Sequence, residues 1–149
     1  MKTVFVGADH AGFALKEKLK TSLKKQKYRV IDTGNVVFDA NDDYPDFGIK
    51  LAKKAVLTKA PGILVCGSSF GVCIVANKVK GARAVSVSTI ADAKIARQHN
   101  DANILCLSGW NMKPALASSL VKAFLHTPFS RQARHARRIQ KITAYEKKS

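Results

Sequence analysis

Short apolar runs alternate with helix-period segments along the whole chain, and the connections between them are brief. That alternation predicts an α/β fold, a five-stranded parallel sheet with helices on both faces. The expected architecture is a Rossmann- or flavodoxin-like three-layer α/β/α sandwich with a basic C-terminal helix. A Gly/Ser-rich loop, Gly67–Gly71, follows the apolar run Gly62-Ile-Leu-Val-Cys66 and precedes a helix-competent segment. Folds of this class bind ligands at such strand-to-helix junctions.

The elements follow in order. Lys2–Gly7 is β-rich and apolar, and Ala8–Gly12 is a polar turn. Leu15, Leu19 and Leu23 recur at helical spacing and predict an amphipathic helix of about four turns with its lysines outward. Tyr28–Asp32 reads as a second strand. The segment 32–43 is rich in Asp, Asn and Gly and reads as a loop. Pro45 suits the first turn of a helix whose apolar face includes Phe47, Leu51 and Val56. Ile63–Cys66 and Ala82–Val87 are strands three and four. Ser88 or Thr89 can cap a helix, with Asp92 in its first turn, that runs toward Arg97–Asp101. Ile104–Leu107 is strand five. Pro114 opens a helix to about Leu125, Pro128 stops it, and Arg131–Ala144 reads as a last, very basic helix.

A length of 149 residues suits one domain, 1–149, and 46% hydrophobic with 24% charged residues is ordinary for a globular chain. No run of about 18 apolar residues could span a membrane. The segment Met1–His10 turns polar too early for a signal peptide. Three cysteines, an odd number, suggest reduced thiols and a cytoplasmic location; Cys73 and Cys106 sit in apolar runs and read as core. No Cys-x-x-Cys or His-x-x-x-His spacing suggests a metal site.

The net charge of +16 is compatible with a nucleic-acid partner, an anionic small substrate or a lysine-rich bias. Lys16, Lys18, Lys20, Lys24, Lys25 and Lys27 crowd one segment, and Lys147 and Lys148 end the chain. No aromatic residues alternate with them to form a stacking platform. The charge therefore reads as a solvated surface, and nucleic acid is not the expected partner.

With five strands in the order 2-1-3-4-5, the ligand crevice falls between strands one and three. Asp9-His10 and Cys66–Gly71 both land there. Backbone N–H groups at a strand–loop–helix junction favour an oxyanion and a thiolate. Cys66 is thus a candidate reactive group, or else a small core residue at a strand end. Asp9 would repel a pyrophosphate in Gly7-Ala-Asp-His-Ala-Gly12, and neither loop continues to Gly-Lys-Ser/Thr. A smaller anionic ligand fits better.

Gly7-Ala-Asp9-His10-Ala-Gly12, Asp43-Tyr44-Pro45, Gly62–Gly71, Ala76-Asn-Lys78, Gly81-Ala-Arg-Ala84 and Arg97-Gln-His99-Asn100-Asp-Ala-Asn103 occur in that order. Together with Arg134-His-Ala-Arg-Arg138 they make nearly the whole chain resemble the B-type ribose-5-phosphate isomerases. The wider family includes allose-6-phosphate and galactose-6-phosphate isomerases. The resemblance implies a metal-free, cofactor-free aldose–ketose isomerase of the pentose phosphate pathway that works through a cis-enediolate. Cys66 would be the base between C1 and C2, with Gly67–Gly71 N–H groups and Ser68 stabilising the enediolate. His99 would open the sugar ring, a task suited to imidazole, with Asp9 and Asn100 holding hydroxyls. His10, Asp43, Tyr44, Gly67, Ser69 and Gly71 would line the sugar. Arg134 and Arg138, four apart on a helix, would clamp the phosphate. In the family that helix completes a neighbouring subunit's site. A homodimer or homotetramer with shared sites is therefore expected, with about 131–149 packing on the partner.

Three positions depart from the family pattern. Ser69 stands where Gly is usual and where positive φ would penalise a side chain. Trp110 replaces an arginine common in relatives that helps hold the phosphate, with Lys113 to compensate and Arg131, in the stretch before Arg134, to take over a contact. Phe129-Ser-Arg-Gln-Ala-Arg134 lacks both glycines of Phe-x-Gly-Gly-Arg. These departures keep a six-carbon sugar phosphate open as an alternative substrate. Further behind stand a sugar-phosphate sensor without turnover and a nucleic-acid-binding protein.

Overall fold

Val4, Phe5, Val6 and Ala8 are all buried, so β1 (Thr3–Ala8) is covered on both faces, as a central parallel strand must be. The computed structural model describes residues 1–149. After β1 come a single 3-10 turn (His10–Gly12), α1 (Phe13–Lys25), β2 (Arg29–Asp32), α2 (Tyr44–Thr58), β3 (Gly62–Cys66) and α3 (Phe70–Ala76). They are followed by β4 (Ala84–Ser86), α4 (Ile90–Asn100), β5 (Ile104–Ser108), α5 (Pro114–His126) and α6 (Ala133–Lys147). The predicted elements are all present, with ends shifted by one to three residues. Thr89 is the cap of α4, its hydroxyl accepting the Asp92 N–H at 3.1 Å.

All strand pairs are parallel, and the order is β2-β1-β3-β5-β4. The expected order 2-1-3-4-5 is therefore wrong at its far edge. Ile104–Leu107 are fully buried and β5 takes the inner position, whereas β4 is a three-residue strand ending in exposed Ser86. The reversal point between β1 and β3 is as expected.

Alternate strand residues feed two cores. Val4, Val6, Ile63, Val65, Leu105 and Leu107 pack against α1, α4 and α5. Phe5, Leu64, Cys66, Ile104 and Cys106 pack against α2 and α3. Cys106 is core, as read from sequence. Cys73 is only half-buried; contact with the Cys106 thiol brings its pKa down to about 7 against the effect of burial.

One expectation fails on α1. Lys16 does not point outward; it is fully buried, and Lys20 is mostly so. Lys16 Nζ reaches Asp32 Oδ2 at 2.9 Å and lies 4.9 Å from the Phe13 ring centroid. Lys20 Nζ meets the same oxygen at 2.7 Å. A buried ammonium needs such partners, and Asp32 at the end of β2 supplies them. Burial opposes ionisation of Asp32, but bonds from Lys20, Lys16 and the Gly34 N–H hold its pKa below the usual carboxylate value.

Helix α6 is the least embedded element. His135 is its one buried residue, and Ile142 and Tyr145 are exposed. Its far end is held by Glu146, which accepts the Gly81 N–H at 3.1 Å.

Candidate active site

The parallel register places Ala8 beside Val65 and Cys66 beside Ser108. The residues that follow β1 and β3 therefore emerge side by side at the carboxyl edge of the sheet. Asp9 leaves β1 in extended conformation, its N–H donating to Val65 O at 3.3 Å. Its Oδ1 accepts the Gly12 N–H at 3.0 Å and caps the 3-10 turn. Only 6% of Asp9 is exposed. Burial raises its pKa above the ordinary carboxylate value, partly offset by the Gly12 N–H and the nearby His10. His10 rests on Asp42: Oδ1 accepts from both the His10 N–H and Nδ1 at 2.8 Å. That hydrogen bond raises the imidazole pKa.

Cys66, 4% exposed, ends β3. The loop after it is tied down through its carbonyls. Gly109 N–H donates to Cys66 O at 2.8 Å, and Trp110 N–H and the Ser108 hydroxyl donate to Gly67 O at 3.1 and 2.6 Å. The N–H groups of Gly67, Ser68 and Ser69 have no partner within the chain. They can serve an oxyanion, and matter more than the macrodipole of α3, which has only seven residues. Ser68 Oγ accepts the Phe70 N–H at 3.2 Å, leaving its own proton to donate.

Two aromatic rings flank this loop. A Cβ added at Gly67 would fall 2.4 Å from the Trp110 ring, and one at Gly71 would fall 2.6 Å from the Tyr44 ring. Both glycines are needed for that approach. Trp110 is 72% exposed and forms one wall of the opening. Ser69 adopts φ 74°, the left-handed conformation that suits the glycine usual there. Its side chain is buried and hydrogen-bonds Ser86 Oγ at the end of β4, away from the opening. Arg131, in the stretch that lost two glycines, is likewise left-handed at φ 58°.

Asp43 begins α2, exposed and without a side-chain capping bond. His99, Asn100, Arg134 and Arg138 do not join Cys66 in this chain. α4 covers the opposite face of the sheet, and its last turn abuts the edge where strands begin: Arg83 Nε, just before β4, donates to Asn100 O at 3.1 Å. The length of β3 puts this edge roughly 15 Å from Cys66. There the His99 ring stacks on His135 of α6, centroids 4.3 Å apart and planes 13° from parallel. Burial lowers the His135 pKa, helped by the charges of His99, Arg134 and Arg138 around it. Arg134 and Arg138 are exposed on the same helix.

Sequence reasoning missed Asp42 and His135. Asp42 is indistinguishable from Asp43 by type, and His135 lay unremarked between the two arginines. A cavity of about 670 Å³ misleads: it opens at the strand-beginning edge among Lys2, Tyr28, Lys59, Arg83 and Arg97. Its arginines are already paired with Asp101 and backbone carbonyls.

Residues 4–142 match the family model described as Ribose/Galactose Isomerase. A probable ribose-5-phosphate isomerase B of Mycoplasma genitalium is 44% identical, with 98% of this chain and 97% of that protein covered. Ribose-5-phosphate isomerase B of Mycobacterium tuberculosis is 41% identical over 97% of this chain and 90% of its own length. The solved Mycoplasma genitalium enzyme with bound ribulose-5-phosphate superposes with a TM-score of 0.94, 43% identical, covering 99% of this chain and 97% of that one. With its fold, its paired strand ends and nearly its full length shared, this chain belongs to the ribose/galactose isomerase family.

Proposed function

We propose that this chain interconverts ribose 5-phosphate and ribulose 5-phosphate as a metal-independent aldose–ketose isomerase. The observation that carries the reading is the meeting of Cys66 and Asp9 at adjacent strand ends, beside a loop with three unpartnered N–H groups. Cys66 moves the proton between C1 and C2 of the open-chain sugar. The Gly67–Ser69 N–H groups and the Ser68 hydroxyl hold the enediolate oxygen. Asp9 and His10 meet the substrate from β1, with Tyr44 and Asp43 beside the loop.

His99 opens the ring, Asn100 holds a hydroxyl, and Arg134 and Arg138 bind the phosphate, all from a second copy of the chain. The separation of the two clusters supports this sharing, as does the thin packing of α6 on its own chain. A symmetric pair would then hold two complete sites. Three free cysteines fit work in the cytoplasm.

The test is turnover of ribose 5-phosphate by purified protein in EDTA, beside allose 6-phosphate and galactose 6-phosphate. Preferential conversion of the pentose is expected. Preference for a hexose would move the substrate assignment, and no conversion of any would overturn the enzyme reading.

A further inference from the structure

Residues 33–43 link β2 to α2, and one carboxylate in this exposed stretch, Asp42, is only 7% accessible. Its neighbours Asn41 and Asp43 are exposed. A carboxylate at that depth requires partners. Oδ1 accepts from the His10 N–H and Nδ1, and Oδ2 accepts from Asn35 Nδ2 at 3.0 Å. Asn35 is itself anchored, because its carbonyl accepts from buried Lys16 Nζ. A continuous relay thus runs from the core face of α1 through Lys16, Asn35 and Asp42 to the His10 ring.

We infer that Asp42 is a positioning residue: it holds His10 with Nδ1 as donor, leaving Nε2 as the nitrogen that meets the substrate. An ionised carboxylate only accepts, so the proton on Nδ1 is dictated. The charged groups facing the ring are Asp42 from the loop and Asp9 from the end of β1. Two anions favour the imidazolium, whose Nε2–H can donate to an anionic oxygen. This role rests on the reading that the cleft takes a sugar phosphate.

Asp42→Asn removes the negative charge facing the ring, and its one amide oxygen can face His10 only if Asn35 turns its own amide to accept the new NH2 group. That change is expected to lower kcat/KM for ribose 5-phosphate roughly tenfold, mainly through KM. In a His10→Asn background the part of the loss that passes through the ring should vanish, leaving only the part carried by the bonds of Asp42 to the His10 backbone N–H and to Asn35. Nitrogen-15 NMR should show His10 protonated on Nδ1 at neutral pH in the parent protein and a changed tautomer balance in Asp42→Asn. Fully additive losses, or unaltered His10 nitrogen shifts in Asp42→Asn, overturn the inference. If Asp42→Asn does not fold, Asn35→Ala removes one bond to the carboxylate and should give a smaller loss of the same kind; parental rate and shifts in Asn35→Ala overturn the inference too. Were the parent protein to convert no sugar phosphate, the proposed activity would fall, while the nitrogen shifts would still decide what Asp42 does to His10.

Discussion

Cys66 and Asp9 sit in the sheet with about one-twentieth of their surface exposed, whereas His99, Arg134 and Arg138 stand exposed on the ends of two helices. The first group is fixed by the core itself. Parallel register sets Cys66 beside Ser108 and Asp9 beside the end of β3, and the loop between is bonded to β5. The second group is held by an imidazole stack and a helix that buries one residue. In the proposed site, one half is complete on folding and the other is presented outward. A side chain offered to solvent on a lightly packed helix is what a site contributed to another subunit requires.

The largest effect expected lies in the embedded half. Cys66→Ala should cut isomerisation by about a thousandfold or more, as loss of a positioned base does, with little change in thermal unfolding. Retention of full turnover would remove Cys66 from the chemistry and leave it a core residue. His99→Asn should cost about a hundredfold in the ring-opening step. The two variants together test the division directly. Unfolded, mixed and refolded, inactive Cys66→Ala and His99→Asn chains should recover roughly a quarter of parental activity, since half the pairs are mixed and each holds one intact site. Absence of recovery would mean that both halves act within one chain.

Asp32 and Asp9 sharpen the same contrast in stability. Asp32 has two ammonium partners and a lowered pKa; Asp9 has none and a raised one, left so by burial. Because the folded pKa of Asp32 lies below its unfolded value, its contribution is present above the ordinary carboxylate pKa. That contribution is lost as pH falls through the lower folded pKa. Asp9 acts in the opposite sense: its ionised form opposes folding at neutral pH and ceases to as acid protonates it. Lys16→Met should cost about 2 kcal/mol in urea unfolding at pH 7, less than a fully broken buried pair because Lys20 remains. The Asp32 contribution should then disappear at a higher pH than in the parent. An unchanged acid profile would show that Lys20 alone holds Asp32.

Much of this was legible in the chain. The alternation of strand and helix patterns, the Thr89 cap and the convergence of Asp9 with Cys66 follow from local residue order. The order of β4 and β5 is a tertiary choice, although the unbroken apolar run Ile104–Leu107 already marks an inner strand. Lys16 reads as surface from its charge despite its place between Leu15 and Leu19, and Asp32 and the Asn35 carbonyl, sixteen and nineteen residues on, explain its burial. The separation of His99 from Cys66 was equally hidden. Sequence motifs list residues that share chemistry without saying that α4 ends on the far edge of the sheet.

The smallest effect concerns Ser69, where the chain departs from its family inside the embedded half. Left-handed backbone costs a non-glycine residue roughly 1 kcal/mol, so Ser69→Gly relieves strain at φ 74°. Against that, glycine gains freedom in the unfolded chain, about 0.4–1 kcal/mol, and the bond to Ser86 Oγ disappears. Ser86 is exposed, so water can replace the lost partner and the penalty stays near the low end for a hydrogen bond, about 0.5 kcal/mol. The terms nearly cancel, and stability should change by less than about 1 kcal/mol. Because the side chain points to β4 and not into the opening, kcat/KM for ribose 5-phosphate should stay within about twofold. A tenfold change with unchanged stability would mean that the hydroxyl governs how the loop presents its N–H groups, and that the embedded half is less rigid than its burial indicates.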